Sequence, residues 1–132
     1  LALTQLGHFL ALTPTGDQSA LAALASDTVQ ALDAFRAPPS EAELDKRRKS
    51  GLSPRQEALL LQWGYPYVMD QFRFHITLSG RLSPDEAAQT RDALLPHLTP
   101  LLPRPFKVEA LTLCGEDAQG MFHELHRYAL SA

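Results

Sequence analysis

The stretch Phe72-Arg73-Phe74-His75-Ile76-Thr77-Leu78-Ser79 decides how the chain is read. A β-strand sends successive side chains to opposite faces. Phe72, Phe74, Ile76 and Leu78 then form one apolar face, which belongs in a core. Arg73, His75, Thr77 and Ser79 form the other, at intervals of about 6.5–7 Å along the strand. That second set suits a phosphoryl group. A guanidinium gives forked, charged donors to phosphoryl oxygens, and hydroxyls donate to the same atoms. An imidazole takes or gives a proton near neutral pH. The plainer alternative is a solvated sheet face with one unremarkable histidine.

Working outward, Tyr65-Pro66-Tyr67-Val68-Met69-Asp70 precedes the strand as an aromatic loop, and Gly80-Arg81-Leu82 turns the chain after it. Three stretches have the capping-box form, in which a Ser and a Glu or Gln satisfy orphan backbone donors. They are Ser40-Glu41-Ala42-Glu43, Ser53-Pro54-Arg55-Gln56 and Ser83-Pro84-Asp85-Glu86. They predict a short charged helix through Lys49, a helix to about Trp63 stopped by Gly64, and a helix to about Leu98 weakened at Pro96. Asp17 to Phe35 carries Leu21, Leu24, Val29 and Leu32 at helical spacing and predicts a core-facing helix. Gly7 to Leu12, Phe106 to Cys114 and Met121 to Leu130 predict strands, the last two as a hairpin, with Cys114 a buried small hydrophobe. This order predicts an α+β fold, an antiparallel sheet with flanking helices. Residues 1–132 read as one lobe with a helical insert at about 36–64.

The chain has 132 residues, a formal net charge of −3 and one cysteine. No basic stripe stands out, so duplex nucleic acid is not an expected partner. No apolar run approaches the roughly 20 residues that span a bilayer, so no membrane partner is expected. The lone cysteine fits a reducing, cytoplasmic setting. Leu1-Ala2-Leu3 reads like the interior of a domain, so further residues are expected upstream.

His75-Ile76-Thr77-Leu78 resembles the H-x-T/S-hydrophobic motif of the two-histidine (2H) phosphoesterases. The wider context is more specific. Trp63-Gly64-Tyr65-Pro66-Tyr67-Val68, the run from Phe72 to Leu82, and Gly7-His8-Phe9-Leu10-Ala11-Leu12 resemble an uncharacterised 2H-like family found with bacterial phosphonate-utilisation genes. Phe35-Arg36-Ala37-Pro38 and Leu52-Ser53-Pro54-Arg55-Gln56 extend the resemblance over nearly the whole chain.

The resemblance implies a bilobal protein in which each lobe gives one H-x-T/S strand to a central cleft. It implies a phosphoesterase that works without metal or other cofactor on a small phosphorylated substrate. One histidine acts as base and the other as acid. By that implication His75 is catalytic and Thr77 holds the phosphate, with Arg73, Arg81 and Tyr67 as further substrate contacts. A second motif is needed. His8, His123 and His126 lack a Thr or Ser two residues on, and His97-Leu98-Thr99 falls at a proline-broken helix end. The second histidine is therefore expected upstream of Leu1, in a missing N-terminal lobe, or from a second copy across a homodimer axis. His123 and His126, three apart on a strand, face opposite sides and do not predict a metal pair. Lys46-Arg47-Arg48-Lys49 reads as a solvated helix face, and Arg36 as a weaker phosphate candidate. The rival functional class is a non-catalytic module that binds a phosphorylated ligand on the same polar strand.

Overall fold

The computed structural model describes residues 1–130, so the last residues of the expected lobe lie outside the described residues. The chain opens with a hairpin, β1 (Ala2–Leu6) and β2 (Phe9–Thr13). Leu6 pairs with Phe9, which leaves Gly7-His8 as a two-residue turn. Such turns need a positive φ at the first position, and Gly7 supplies it at 56°. Sequence reading predicted only the second of these strands. The signal was a glycine opening a two-residue gap between two apolar runs.

Helix α1 (Ser19–Leu32) continues as a 3₁₀ turn through Phe35, so the predicted span holds. Its apolar stripe is half-buried rather than core, and Leu32 is mostly exposed. Helices α2 (Glu41–Arg48), α3 (Pro54–Trp63) and α4 (Pro84–Leu98) all begin at complete capping boxes. In each, the Ser hydroxyl accepts from the N3 backbone N–H while the N3 side chain accepts from the Ser N–H. Gly64 closes α3 in the left-handed region, φ 74°. Pro96 does not break α4, which runs on to Leu98.

Two sheets form where one was expected. β1, β2 and β3 (Ile76–Thr77) make an antiparallel sheet with β2 in the middle. β4 (Ala110–Glu116) and β5 (Phe122–Ala129) make a separate hairpin. Its β4 strand starts four residues later than Phe106, because β5 extends only to Ala129 and the ladder closes with the Leu130 N–H donating to the Glu109 carbonyl at 2.8 Å. Among the described residues no helix is long and apolar enough to cross a membrane.

The core gathers on β2 and on the two short helices. Leu10, Ala11 and Leu12 are all buried, so both faces of β2 are covered. α4 packs against β1 and β2. Leu44, Leu59, Leu60, Pro66, Val68 and Ala87 complete the buried set. The β4–β5 hairpin packs extensively only on itself and leaves Leu113, Phe122 and Leu125 exposed. Cys114 is exposed too, contrary to the expectation of a buried small residue, since among the described residues the hairpin packs extensively on no other element.

The predicted eight-residue strand is shorter than its alternation promised. Regular pairing covers Ile76 and Thr77, with Leu78 N–H donating to the Leu10 carbonyl at 2.9 Å beyond them. Met69–Gln71 forms a 3₁₀ turn just upstream, so the chain reaches the sheet late. Ile76 and Leu78, expected in the core, are 39% and 38% exposed. Their strand lies at the sheet edge, where among the described residues no further strand pairs with it.

Candidate functional site

β3 is placed by β2. Thr77 sits opposite Ala11, and Ile76 opposite Leu12. Phe9 and Ala11 therefore share a sheet face with Thr77. The Phe9 ring lies 5.8 Å from the His75 imidazole, centroid to centroid. Ser79 pins the far end of the strand, its hydroxyl accepting from the Leu10 N–H at 2.9 Å.

His75 is exposed, and its Nδ1 lies 2.8 Å from the Arg73 carbonyl oxygen. A carbonyl can only accept, so this contact places the neutral ring's proton on Nδ1. Nε2 is left with its lone pair, the form a general base requires.

A groove of about 770 Å³ opens at His75. Arg73 and Tyr67 line it together with His75, so three of the predicted site residues meet there. Thr77 and Arg81 are exposed and lie outside the lining. Thr77 lies on the short strand that His75 precedes, two residues on. Arg81 follows Gly80 in the turn, beyond the end of the strand. Arg36 is engaged elsewhere, donating to Asp33 Oδ1 at 2.7 Å and to the Gln62 carbonyl at 3.1 Å.

The sequence reading missed several groove residues. Gln56 and Gln71 bring amides, and Phe9, Met69 and Phe72 bring apolar surface. Gln56 was legible only as half of a capping box, a role it also fills. Phe72 was assigned to the core face and lines the groove instead, because regular strand geometry begins after it.

The wall from Tyr65 to Gln71 is held in place by charge and by turn geometry. Arg55 Nε donates to Asp70 Oδ1 at 2.9 Å, and Arg55 Nη2 donates to the same oxygen. These hydrogen bonds, with one from Gln71, hold the Asp70 carboxyl down at about 2. The Arg47 guanidinium lies 4.8 Å over the Tyr65 ring, so the basic run on α2 is used in part to cover this loop. Elsewhere, His123 Nε2 lies 2.7 Å from Asp117 Oδ2, and that contact lowers the Asp117 carboxyl.

A second cleft of about 860 Å³ lies between the start of α1 and the Pro103–Val108 segment, with Leu1 and Arg104 on its wall. None of the predicted site residues lines it.

Comparison with known proteins gives the chain relatives. Residues 1–123 match the family described as "Protein of unknown function (DUF1045)". A ribose 1,5-bisphosphate phosphokinase PhnN of Janthinobacterium sp. (strain Marseille) is 40% identical over 116 residues, which are 85% of this chain and 26% of that protein. The protein of the same name from Laribacter hongkongensis (strain HLHK9) is 37% identical over 127 residues, 96% of this chain and 29% of that protein. The chain thus spans less than a third of the length of these relatives. No solved structure matches the chain significantly.

Proposed function

The chain belongs to the DUF1045 family, and from that premise we propose that it supplies one half of the active site of a two-histidine phosphoesterase acting on a small phosphorylated sugar. The observation that carries this reading is the His75–Arg73 geometry at the mouth of a groove. His75 Nε2 takes the proton of an attacking water as its oxygen bonds to phosphorus. Arg73 and the Thr77 hydroxyl neutralise and orient the phosphoryl oxygens. The ester P–O bond then breaks, and the leaving oxygen takes a proton from a second imidazole.

His75 is the one histidine on the groove lining. The second is assigned to polypeptide outside these residues or to a second copy of the chain, completing a bilobal cleft. The substrate class draws on the relatives, whose name carries a ribose bisphosphate. The resemblance to a family found with phosphonate-utilisation genes draws the reaction toward phosphonate metabolism. The relatives' kinase activity is not carried over. Within these residues there is no G-x-x-x-x-G-K-[ST] stretch, the loop whose backbone N–H groups cradle nucleotide phosphates.

A second reading is favoured by that same single histidine: a module that holds a phosphorylated ligand without turning it over. Hydrolysis of a cyclic phosphodiester followed by ³¹P resonance, in the longer polypeptide or dimer that supplies the second imidazole, separates the two. An enzyme shows turnover that His75→Asn removes. A binding module shows no turnover in either protein and a weaker ligand shift in the variant.

A further inference from the structure

Ser79 ends the polar series Arg73, His75, Thr77, Ser79, and its hydroxyl is already in use. Oγ donates to the Gly80 carbonyl and accepts from the Leu10 N–H, both at 2.9 Å. A hydroxyl has one proton, so none is left for a phosphoryl oxygen. The bond from Leu10 also replaces a ladder bond. Ala11 stands opposite Thr77 and Leu12 opposite Ile76, which puts Leu10 opposite Leu78. The Leu78 N–H donates to the Leu10 carbonyl at 2.9 Å. A regular antiparallel pair returns that bond, from the Leu10 N–H to the Leu78 carbonyl. Here the Ser79 side chain takes the carbonyl's place.

Beyond Ser79 the register slips. The same pairing would put His8 opposite Gly80. Its carbonyl instead accepts from the Leu82 N–H at 2.7 Å, two residues further on. The chain therefore bulges from β2 over Ser79–Arg81, and the hydroxyl fixes where the bulge begins. Leu10 is fully buried, so its N–H needs that acceptor.

We infer that Ser79 is a positioning residue, whose hydroxyl latches the end of β3 to β2 and so sets Thr77 against the substrate phosphate. The inference rests on the phosphoester reading, which gives the Thr77 hydroxyl to that phosphate. β3 has two residues of regular pairing, so few other bonds hold Thr77 in place. A displacement of about 1 Å at a reacting centre can cost roughly 100-fold in rate.

Hydrolysis of ethylene phosphate, a five-membered cyclic diester, tests this by ³¹P resonance in the longer polypeptide or dimer that supplies the second imidazole. Ser79→Ala should lower kcat roughly 10- to 100-fold and leave KM near the wild-type value, because the Arg73 charge stays in place. Ser79→Thr keeps the hydroxyl and should keep the rate. In Ser79→Ala, exchange of the Leu10 amide, read by NMR against Leu12, should quicken about 5-fold, the yield of one lost hydrogen bond. Circular dichroism establishes that each variant is folded. Ser79→Cys, with a weak acceptor, replaces the alanine variant if that one does not fold. Unchanged Leu10 exchange overturns the latch whatever the rate. Faster exchange with kcat undiminished, a loss that falls on KM alone, or an equal loss in Ser79→Thr overturns the positioning role. A wild type that turns over no ethylene phosphate removes the phosphoester reading and the positioning role with it, even where exchange shows the latch in place.

Discussion

His75 owes its role to its neighbours on the chain. The Arg73 carbonyl fixes its Nδ1 proton, and the next outward-facing residue is a hydroxyl. The second feature was legible in the sequence, since alternation along a strand fixes which side chains share a face, whereas the contact to the Arg73 carbonyl was seen only in the fold. Asp70 was not legible, because its partner Arg55 lies fifteen residues away on another element. Its carboxyl is held at about 2, with the Arg55 hydrogen bonds as the largest cause. A carboxyl depressed on folding stabilises the protein fully above its unfolded value, near 3.9. That stabilisation fades as the pH falls from about 4 toward 2. Asp70→Asn should therefore lower the denaturation midpoint at pH 7 and narrow its gap to wild type near pH 2. A gap that stays constant over that range contradicts the assignment.

At the scale of elements, the helices were written locally and the strands were not. A capping box needs four consecutive residues, so Ser40, Ser53 and Ser83 each marked a real helix start. Ser53→Ala should cost about 1 kcal/mol by losing the bond to the Gln56 N–H, measured by urea denaturation. Gly64→Ala should cost roughly 1–2 kcal/mol from the left-handed conformation alone. Its new Cβ would also meet Arg36 Nη1 at 2.9 Å, so the Arg36 side chain must shift. The edge strand is different. Pairing of Ile76 and Thr77 depends on β2, sixty-odd residues earlier, and the 3₁₀ turn at Met69–Gln71 delays the approach. Alternation gave the faces of the strand but neither its length nor the cover over Ile76 and Leu78. Tyr67 was anticipated on the groove, but Phe9 and Gln56 were missed for the same reason, since β2, α3 and the loop after it meet only in the fold.

Over the whole molecule, stability is unevenly spread. β2 is buried on both faces, while the β4–β5 hairpin leaves Leu113, Phe122 and Leu125 largely exposed. An isolated two-stranded hairpin is marginal in water. Amides of Leu111–Leu113 should therefore exchange with solvent faster than those of Leu10–Leu12, as hydrogen-exchange mass spectrometry would show. Leu60→Ala should cost about 2–5 kcal/mol, while Leu113→Ala, on an open face, should cost far less. The functional account needs less of the molecule: one imidazole, correctly protonated, at the mouth of a groove that admits a phosphoester. Its most direct test is the ³¹P-detected hydrolysis of a cyclic phosphodiester by the protein and by His75→Asn. General acid–base catalysis predicts a loss of about 10²- to 10⁴-fold with the fold intact. Turnover undiminished in the variant would contradict it.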